Sequence, residues 1–389
     1  MVGFALDDEQ EALRSTVADF ARTVVAPVIG DYYERSQFPY DIVARMAKLG
    51  LFGLPFPEEY GGMGGDYFAL CLALHELARV DSSVAITLEA AVGLGAMPIY
   101  RFGTAEQKDR WLPDLCRGER LAAFGLTEPG GGSDIPGGMR TTARLDGDEW
   151  VIDGSKAFIT NAGTSITSVV TVLAFTGPAG EKGTRRDISA IMVPSGTPGF
   201  SVGPEYSKVG WRASDTRELA FADCRVPREN LLGEYGRGYA QFLQTLDEGR
   251  VAIAALAAGL AEGCVDECRR YAAERTAFGH ALGHYQATQF KIADMAARAH
   301  LARLAWYDAA ARLVAGQAFK LQAAIAKLTC ASAAMDNARD ATQIFGGYGF
   351  MNEFPVARFY RDAKVLEIGE GTSEVQRIVI ARQLGLGES

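Results

Sequence analysis

The feature that most constrains the fold is a series of three long helical patterns towards the C-terminal end, at residues 238–273, 286–315 and 320–345. The first is rich in alanine and apolar on several faces, which is typical of a helix buried on more than one side. Each pattern is long enough for a bundle helix, and short loops separate the three. We therefore expect residues 233–389 to form a helical domain built as a four-helix bundle.

The N-terminal part of the chain is also helical, but its predicted helices are shorter. Thr104 and Gln107 match a capping box that opens a helix, and we expect this helix to end before Pro113. The other apolar patterns with a helical period lie at residues 7–29, 40–49, 67–79 and 83–102. Together they predict an all-helical N-terminal domain over residues 1–120.

The middle of the chain, residues 121–232, changes to short β-rich runs with turn signals. Asp146-Gly147 is a hairpin signal, and Asp153-Gly154-Ser155 is a second one that should divide strands at 149–152 and 156–160. Further strands are expected at 167–175, 188–193 and 218–221. These features predict a small β domain, a barrel or sandwich, so the expected fold class is α+β.

Charge and composition exclude several functions. A net charge of −9 argues against nonspecific binding to nucleic acid or to an anionic membrane surface. The longest apolar run, 251–261, is too short to cross a bilayer, and the acidic start lacks the basic segment of a signal peptide. The dispersed cysteines and histidines form no metal-binding spacing. We therefore expect a cytoplasmic protein with no metal, nucleic-acid partner or membrane partner.

The first candidate ligand-binding segment is rich in glycine and runs Phe124-Gly-Leu-Thr-Glu-Pro-Gly-Gly-Gly-Ser-Asp-Ile-Pro-Gly-Gly138. Its glycines allow close approach of the backbone to a flat or phosphorylated ligand, and Thr127 and Ser133 add hydroxyl groups. The segment matches neither a Walker phosphate loop nor a Gly-x-Gly-x-x-Gly dinucleotide turn. A flexible surface loop is the alternative interpretation.

A second candidate lies at residues 156–163, where a strand leaves a predicted turn. Thr160 and Asn161 can donate to a heteroaromatic ring while Phe158 packs against it. An ordinary strand with one buried aromatic residue is the alternative.

Polar residues near helix ends form two further candidates. Arg250 enters an apolar helix and requires an anion, which is either a ligand or the nearby carboxylates of Asp247 and Glu248. An arginine, two amides and a Gly-Gly pair suit pyrophosphate and adenine contacts, with helix capping as the alternative. This last group comprises Arg275, Gln286 and the segment Gln343-Ile-Phe-Gly-Gly347.

A carboxylate between two glycines is the candidate general base. Glu370 lies between Gly369 and Gly371, where the backbone can bend sharply and direct the side chain into a cavity. Ser373 and Gln376 match a capping box, so we expect a helix to begin there and to offer free N–H groups to a ligand. Glu248 is the rival base, and a solvated cap is the alternative role for Glu370.

In their order and spacing, these motifs resemble the acyl-CoA dehydrogenase family over essentially the whole chain. The segment 127–134 resembles the flavin loop of the family, and 340–350 and 370–376 resemble its C-terminal signatures. The resemblance implies a non-covalent FAD between the β domain and the bundle, with part of the site formed across a subunit interface of a homotetramer, a dimer of dimers. It also implies reoxidation by an electron-transferring flavoprotein.

The resemblance assigns roles to individual residues. Glu370 matches the catalytic base that removes the α-hydrogen of an acyl-CoA thioester, giving the trans-2-enoyl-CoA. The residues that match substrate contacts are Ser133, Asp247, Arg250 and Gly371. The residues that match FAD contacts are Phe124, Leu126, Thr127, Gly132, Ser133, Phe158, Ile159, Thr160, Arg275, Phe278, Gln286, Gln343, Ile344, Gly346, Gly347, Thr372, Ser373 and Glu374.

Several positions narrow the branch of the family. Isovaleryl-type and long-chain enzymes carry the base on the bundle helix, at the position of Gly249, so this chain resembles the short-chain, medium-chain and short-branched types of fatty acid β-oxidation. Glutaryl-type enzymes of the family carry an arginine at the position of Ala85 to hold a second carboxylate, so Ala85 counts against a dicarboxylate substrate. Two residues depart from the pattern: Phe158 replaces a frequent tryptophan, and Glu89 is a charge for which we expect a solvated or interface position. An oxygen-reducing oxidase relative and a non-catalytic flavoprotein are the alternatives.

Overall fold

The computed structural model describes residues 5–177 and 187–387, and their elements follow the order helices, strands, helices. From residue 5 onwards, the first part contains seven helices, joined in places by short 3₁₀ and π turns. Their bounds are α1 Asp8–Phe20, α2 Ile29–Glu34, α3 Tyr40–Lys48, α4 Tyr67–Ala78, α5 Ser82–Glu89, α6 Met97–Phe102 and α7 Ala105–Cys116.

Most of these helices were predicted, with two corrections. The predicted helix over 7–29 is interrupted, because a π-helical turn at Ala21–Val25 ends the first segment and α2 begins at Ile29. The prediction that α7 ends before Pro113 is wrong. The capping box of Thr104 and Gln107 is present, but α7 continues through Pro113 to Cys116. Proline already has a helical φ, and the Pro113 carbonyl accepts from the Arg117 N–H at 3.2 Å, so the last turn persists.

The middle part of the chain contains the strands β1 Leu121–Gly125, β2 Thr142–Asp146, β3 Glu149–Thr160, β4 Thr167–Phe175, β5 Ile188–Pro194, β6 Phe200–Glu205, β7 Thr216–Pro227 and β8 Leu231–Leu232, with the short helix α8 Ile135–Gly138 between β1 and β2. Within the described residues they form one eight-stranded sheet with strand order β6-β7-β3-β2-β4-β5-β8, and β1 pairs in parallel with β4. Trp150, Ile152 and Val172 belong to a second apolar core on the sheet, separate from the main helical core. The predicted β domain is confirmed.

One of the two predicted hairpin turns is wrong. Gly147 lies in the turn between β2 and β3 with φ of 63°, as its Asp-Gly signal predicts. Gly154 instead lies inside the continuous strand β3, where the pairing register with β7 shifts. A Cβ atom at Gly154 would lie 2.6 Å from the Thr141 Cα, so glycine allows a close approach of two strands rather than a turn.

The last layer contains the long helices α9 Gly238–Glu274, α10 Gln286–Val314 and α11 Lys320–Phe345, which pack against one another as predicted. Before α10, the short strands β9 Thr276–Ala277 and β10 His280–Ala281 form a small hairpin. Two shorter helices pack against α11, and the first of them has no counterpart among the helices predicted from the sequence. They are α12 Pro355–Leu366 and α13 Ser373–Gln383.

Among the described residues, one helical stretch, Ser82–Phe102, has the length and apolar composition of a membrane span, although Glu89 interrupts its apolar run. It comprises α5, a π-helical segment at Ala90–Ala96, and α6. Its apolar window is 94% buried inside the protein, so it packs as a core helix.

A buried polar network joins α5 to α12. Asp81, the N-cap of α5, pairs with Arg358 of α12 at 3.2 Å. Asp362 of α12 accepts from Ser82 at 2.7 Å and from the backbone N–H of Trp211, also at 2.7 Å. Because α12 leads directly into the loop of Glu370, this network fixes that loop relative to α5.

Candidate active site

Glu370 lies on the loop between α12 and α13, in an uncommon backbone conformation. Its φ is 51°, in the left-handed region, and that of Gly371 is 92°. Two side chains hold the loop in place, because the Gly371 carbonyl accepts from Lys327 Nζ at 2.7 Å and from Gln376 Nε2 at 2.9 Å. Left-handed conformations of residues other than glycine cluster at functional sites, where the surrounding contacts maintain them.

The helix after the loop begins at Ser373, as predicted, but its cap is not the predicted Ser373–Gln376 box. Thr372 is the N-cap residue, and its hydroxyl accepts from the Val375 N–H at 3.2 Å. Gln376 therefore turns back to the base loop, and the hydroxyl of Ser373 is buried with no hydrogen-bond partner among the described residues.

Gly249 of α9 makes room for the carboxyl group of Glu370. A Cβ atom at position 249 would lie 3.4 Å from the Glu370 Cδ and closer than 3.0 Å to its Oε2, a separation that real Cβ atoms do not show. The resemblance led us to expect a glycine on the helix wherever the loop carries the glutamate. In the structure these two residues pack directly against each other.

The environment of Glu370 suits a general base. The residue is half-buried as a whole because its loop reaches the surface, but its Oε2 is fully buried. Burial raises the pKa of Glu370 to about 7, and the charges of Lys327 and Arg250 oppose part of this rise. When the pKa of a base lies near the working pH, much of the base is ionised and able to take a proton, and it still binds that proton strongly enough to favour the transfer.

Glu89 is not at a solvated or interface position, so that expectation is wrong. The residue is 0% exposed at the end of α5, and both carboxyl oxygens lack a hydrogen-bond partner in the described part of the chain. Burial and the charge of Glu370 raise the pKa of Glu89 well above its ordinary value. The sequence pattern could not show this, because the group that faces Glu89 is a second carboxyl.

Two polar residues near Gly249 are already paired within the chain. Glu248 is buried and pairs with Arg101 at 3.4 Å; burial raises its pKa, which Arg101 partly offsets. Arg250 pairs with Asp247 one turn away, the salt-bridge alternative considered above. Asp247 also lies 3.4 Å from Lys320. Of the two candidate bases, Glu248 is therefore held in an ion pair, whereas the Oε2 of Glu370 is buried with no hydrogen bond to protein within the described ranges.

The glycine-rich segment folds back on itself so that two of its glycines are in contact. A Cβ atom at Gly131 would lie 2.5 Å from the Gly138 Cα, so the loop closes only where both are glycine. Glu128 lies beneath it and accepts from Lys156 Nζ at 2.8 Å. Burial raises the pKa of Glu128, but Lys156 and hydrogen bonds outweigh this and leave it lowered; burial lowers the pKa of Lys156 to about 8.

The candidates from the β domain differ in exposure. Phe158 has φ of 62°, and its side chain is 65% exposed. The side chain of the adjacent Ile159 is buried in the core of the β domain, so Ile159 would contact a ligand through its backbone. Phe124 is buried and stacks on Phe242 with ring centroids 4.0 Å apart. The remaining members are half-buried Leu126, Thr127 and Thr160, and exposed Gly132 and Ser133.

A second group of candidates gathers at the opposite end of α9. Residues 250 and 275 are separated by about 37 Å at 1.5 Å per residue along that helix. A surface groove there brings together the predicted residues Arg275, Ile344, Gly346 and Gly347 with Tyr271 and Tyr348. The structure thus divides the candidates into two groups, and exposed Phe278, Gln286 and Gln343 lie on the segments around the second.

Domains of one known protein family match all three parts of the chain. The domains described as acyl-CoA dehydrogenase N-terminal, middle and C-terminal domain match residues 7–119, 123–224 and 236–385. A probable acyl-CoA dehydrogenase of Bacillus subtilis, YngJ, is 47% identical over 98% of this chain and 100% of its own length. The chain belongs to the acyl-CoA dehydrogenase family.

Solved structures support the same assignment for this acyl-CoA dehydrogenase. Butyryl-CoA dehydrogenase from Megasphaera elsdenii superposes with a TM-score of 0.94 and 40% identity, covering 98% of this chain and 100% of that one. A chain from a structure of the electron transferring flavoprotein of Acidaminococcus fermentans also gives 0.94, with 41% identity and coverage of 98% and 99%. The likeness extends over the full architecture.

FAD is the cofactor of acyl-CoA dehydrogenases, and the residues of this chain fit it. The buried Ser373 hydroxyl and Asn161 Oδ1 have no protein partner among residues 5–177 and 187–387, although buried polar atoms normally have one. The ring of Phe158 is exposed on β3, the strand that also carries Thr160. Thr127 lies beside this strand, because its carbonyl accepts from the Ala157 N–H at 2.8 Å. These groups offer the stacking surface and hydrogen bonds that a flavin requires.

Proposed function

We propose that this chain catalyses the α,β-dehydrogenation of a short acyl-CoA thioester to the trans-2-enoyl-CoA, with Glu370 as the base. The observation that supports this most directly is the Glu370 carboxyl group, buried over Gly249 on a strained loop, with a pKa raised to about 7. Removing a weakly acidic α-hydrogen requires such a base in a site from which water is excluded.

The residues of the chain divide the work of the reaction. Glu370 Oε2 takes the α-proton, and the Glu370 backbone N–H holds the thioester oxygen as negative charge develops on it. Lys327 fixes the loop, so that the carboxyl group keeps its aim during the transfer. When bound, FAD would supply the acceptor for the β-hydrogen, which leaves the substrate as hydride. Ser133, Asp247, Arg250 and Gly371 are the proposed contacts with the acyl-CoA.

We propose that FAD binds between residues of two copies of this chain. The proposed contacts with the flavin half of FAD are Phe124, Leu126, Thr127, Gly132, Ser133, Phe158, Ile159, Thr160, Thr372, Ser373 and Glu374. Arg275, Phe278, Gln286, Gln343, Ile344, Gly346 and Gly347 lie around the far end of α9, so a second copy would supply them. Exposed Phe278 and Phe350 at that end, 96% and 87% exposed, suit burial in a homotetramer.

Short substrates are favoured because the similar Megasphaera elsdenii structure is a butyryl-CoA dehydrogenase and because Glu89 places a polar group beside the base. The test is anaerobic mixing of the FAD-loaded protein with butyryl-CoA, isobutyryl-CoA and octanoyl-CoA while the flavin absorbance is followed. We expect butyryl-CoA to bleach the flavin fastest, and faster reduction by isobutyryl-CoA would indicate a branched-chain enzyme. If none of the three bleaches it, the proposed function is wrong.

The proposed electron acceptor is an electron-transferring flavoprotein in the cytoplasm, since one structural relative comes from a structure of such a flavoprotein. Steady-state assays should then show turnover that depends on the added flavoprotein, with little peroxide formed in air. Stoichiometric peroxide without that partner would identify an oxidase.

A further inference from the structure

Three acidic or phenolic side chains, the base among them, lie in the core without the partners that buried polar groups normally have. Tyr67 Oη, both carboxyl oxygens of Glu89 and Glu370 Oε2 are buried and lack hydrogen bonds within the part of the chain that the structure describes. They come from α4, from the end of α5 and from the base loop. A Cβ atom at Gly93 would lie 2.8 Å from Glu89 Oε1 and 3.2 Å from Tyr67 Oη, which places these two groups on one side of the π-helical turn.

The carboxyl groups of Glu89 and Glu370 are neighbours at the π-helical turn. A Cβ atom at Gly249 would meet Glu370 Oε2 and also Leu94 Cδ2 at 3.5 Å, and Leu94 follows Gly93, where a Cβ atom would meet Glu89 Oε1. Besides burial, which raises the pKa of both groups, a hydrogen bond between them raises the pKa of Glu89 and lowers that of Glu370. Two ionised carboxylates are acceptors only, so they repel and cannot form this bond. When one carboxyl group is protonated, it can donate to the other. A single proton between the two groups therefore supplies the hydrogen bond that Glu370 Oε2 and one oxygen of Glu89 otherwise lack.

The surrounding charges decide which carboxyl group holds that proton. Glu370 is faced by Lys327 from α11 and by Arg250 from α9, and both cations favour its ionised form. Glu89 is faced by Glu370 and lies near the neutral phenol of Tyr67. Burial raises the pKa of that phenol, which Glu248 and the two carboxyl groups raise further. The proton therefore belongs on Glu89.

We propose that Glu89 is a positioning residue that holds one proton and donates it in a hydrogen bond to ionised Glu370 in the substrate-free enzyme. Its role in catalysis rests on the proposed function of Glu370 as base. The bond keeps Glu370 ionised although it is buried, and it fixes the direction of the carboxylate over Gly249. When Glu370 takes the α-proton, the Glu89 proton stays on Glu89, so the pair ends with one proton on each carboxyl group.

The test compares Glu89→Gln with Glu89→Leu. The amide of glutamine can still donate to Glu370, whereas leucine of similar size cannot. The measurement is the rate of flavin reduction by butyryl-CoA as a function of pH. We expect the lower-pH limb of Glu89→Gln to remain near that of the wild type, and that of Glu89→Leu to move up by about 1 to 2 pH units. If both variants keep the wild-type limb, Glu89 only fills space and the proposal is wrong.

A second readout needs neither substrate nor turnover. Infrared spectra of the FAD-loaded protein at pH 8 should show the stretch of a buried protonated carboxyl group that shifts in D₂O. We expect Glu370→Gln to retain this band and Glu89→Gln to lose it. A band that survives in Glu89→Gln, or none in the wild type, contradicts the proposal. This result is independent of acyl-CoA chemistry, so failure of the pair and failure of the proposed function can be told apart.

Discussion

Gly249→Ala tests whether the space over α9 positions the base. The new Cβ atom would lie closer than 3.0 Å to Glu370 Oε2, and ordinary contact begins at 3.4 Å. The carboxyl group must therefore move by roughly 1 Å, a misplacement that costs about 100-fold in rate when it affects reacting atoms. The helix itself gains, because alanine is more favourable than glycine in a helix by about 1 kcal/mol.

The assay is stopped-flow reduction of the bound flavin at saturating butyryl-CoA, combined with thermal unfolding of the same preparations. We expect Gly249→Ala to reduce flavin about 100-fold more slowly, with an unchanged or higher unfolding temperature. Gly259→Ala in the same helix is the matched control. Its Cβ would lie 2.9 Å from the backbone carbonyl carbon of His75, so α4 and α9 must separate. That control should lower the unfolding temperature instead.

The two variants thus separate positioning of the base from packing of the helix. If Gly249→Ala reduces flavin within about threefold of the wild-type rate, the 1 Å displacement does not affect proton transfer and the assigned geometry of the base is wrong.

Three further changes test the surroundings of the site. Lys327→Met removes the bond to Gly371 and a charge that lowers the pKa of Glu370, so the lower-pH limb of the reduction rate should move to higher pH; an unmoved limb contradicts this. Because the folded pKa of Glu370 is raised from 4.5 to about 7, its contribution to stability is present below pH 4.5 and is lost as pH rises through 7, by about 3 kcal/mol. Thermal unfolding from pH 4.5 to 8 should therefore show a smaller decline for Glu370→Gln than for the wild type, and parallel declines would refute it. Lys156→Met leaves the Glu128 carboxylate buried without its cation and should cost about 3–5 kcal/mol in denaturant unfolding, with recovery when Glu128→Gln is added; no loss would show that the pair is not needed.

The long helices were predictable because their signal is local and repeated. The predicted pattern over 238–273 corresponds to α9, Gly238–Glu274, and 320–345 corresponds to α11, Lys320–Phe345, since periodicity over so many turns leaves little choice of structure. The hairpin predicted at Gly154 is wrong because its signal was only local. An Asp-Gly pair signals a turn locally, but here the glycine is required by contact with Thr141, a neighbour that the local pattern does not contain.

The site was predictable as far as its motifs are contiguous in the chain. Glu370 and its two glycines form one short segment, and Gly249 stands out as a small residue beside charged ones. Lys327 was missed, although a lysine among the alanines of α11 is an unusual signal. Its role depends on a carbonyl 44 residues away, to which its ammonium donates.

Glu89 shows the limit of sequence reasoning most clearly. A glutamate on an apolar helix is normally explained by solvent or by a cation, and neither surrounds this one in the structure. Its partner is a second carboxyl group from the C-terminal domain, at the end of α5 opposite to the network of Asp81, Arg358 and Asp362. Like charges at such a distance in sequence suggest no pairing until the fold places them together.

The most direct test of the central claim is flavin reduction in Glu370→Gln. The FAD-loaded variant is mixed anaerobically with butyryl-CoA, and its flavin content and binding of the substrate are measured in parallel. We predict retained FAD, retained substrate binding and a reduction rate lower by about 10²- to 10⁴-fold, the usual contribution of a general base. A near-normal rate would contradict the assignment and would move the base to another carboxylate, with Glu248 the first to test.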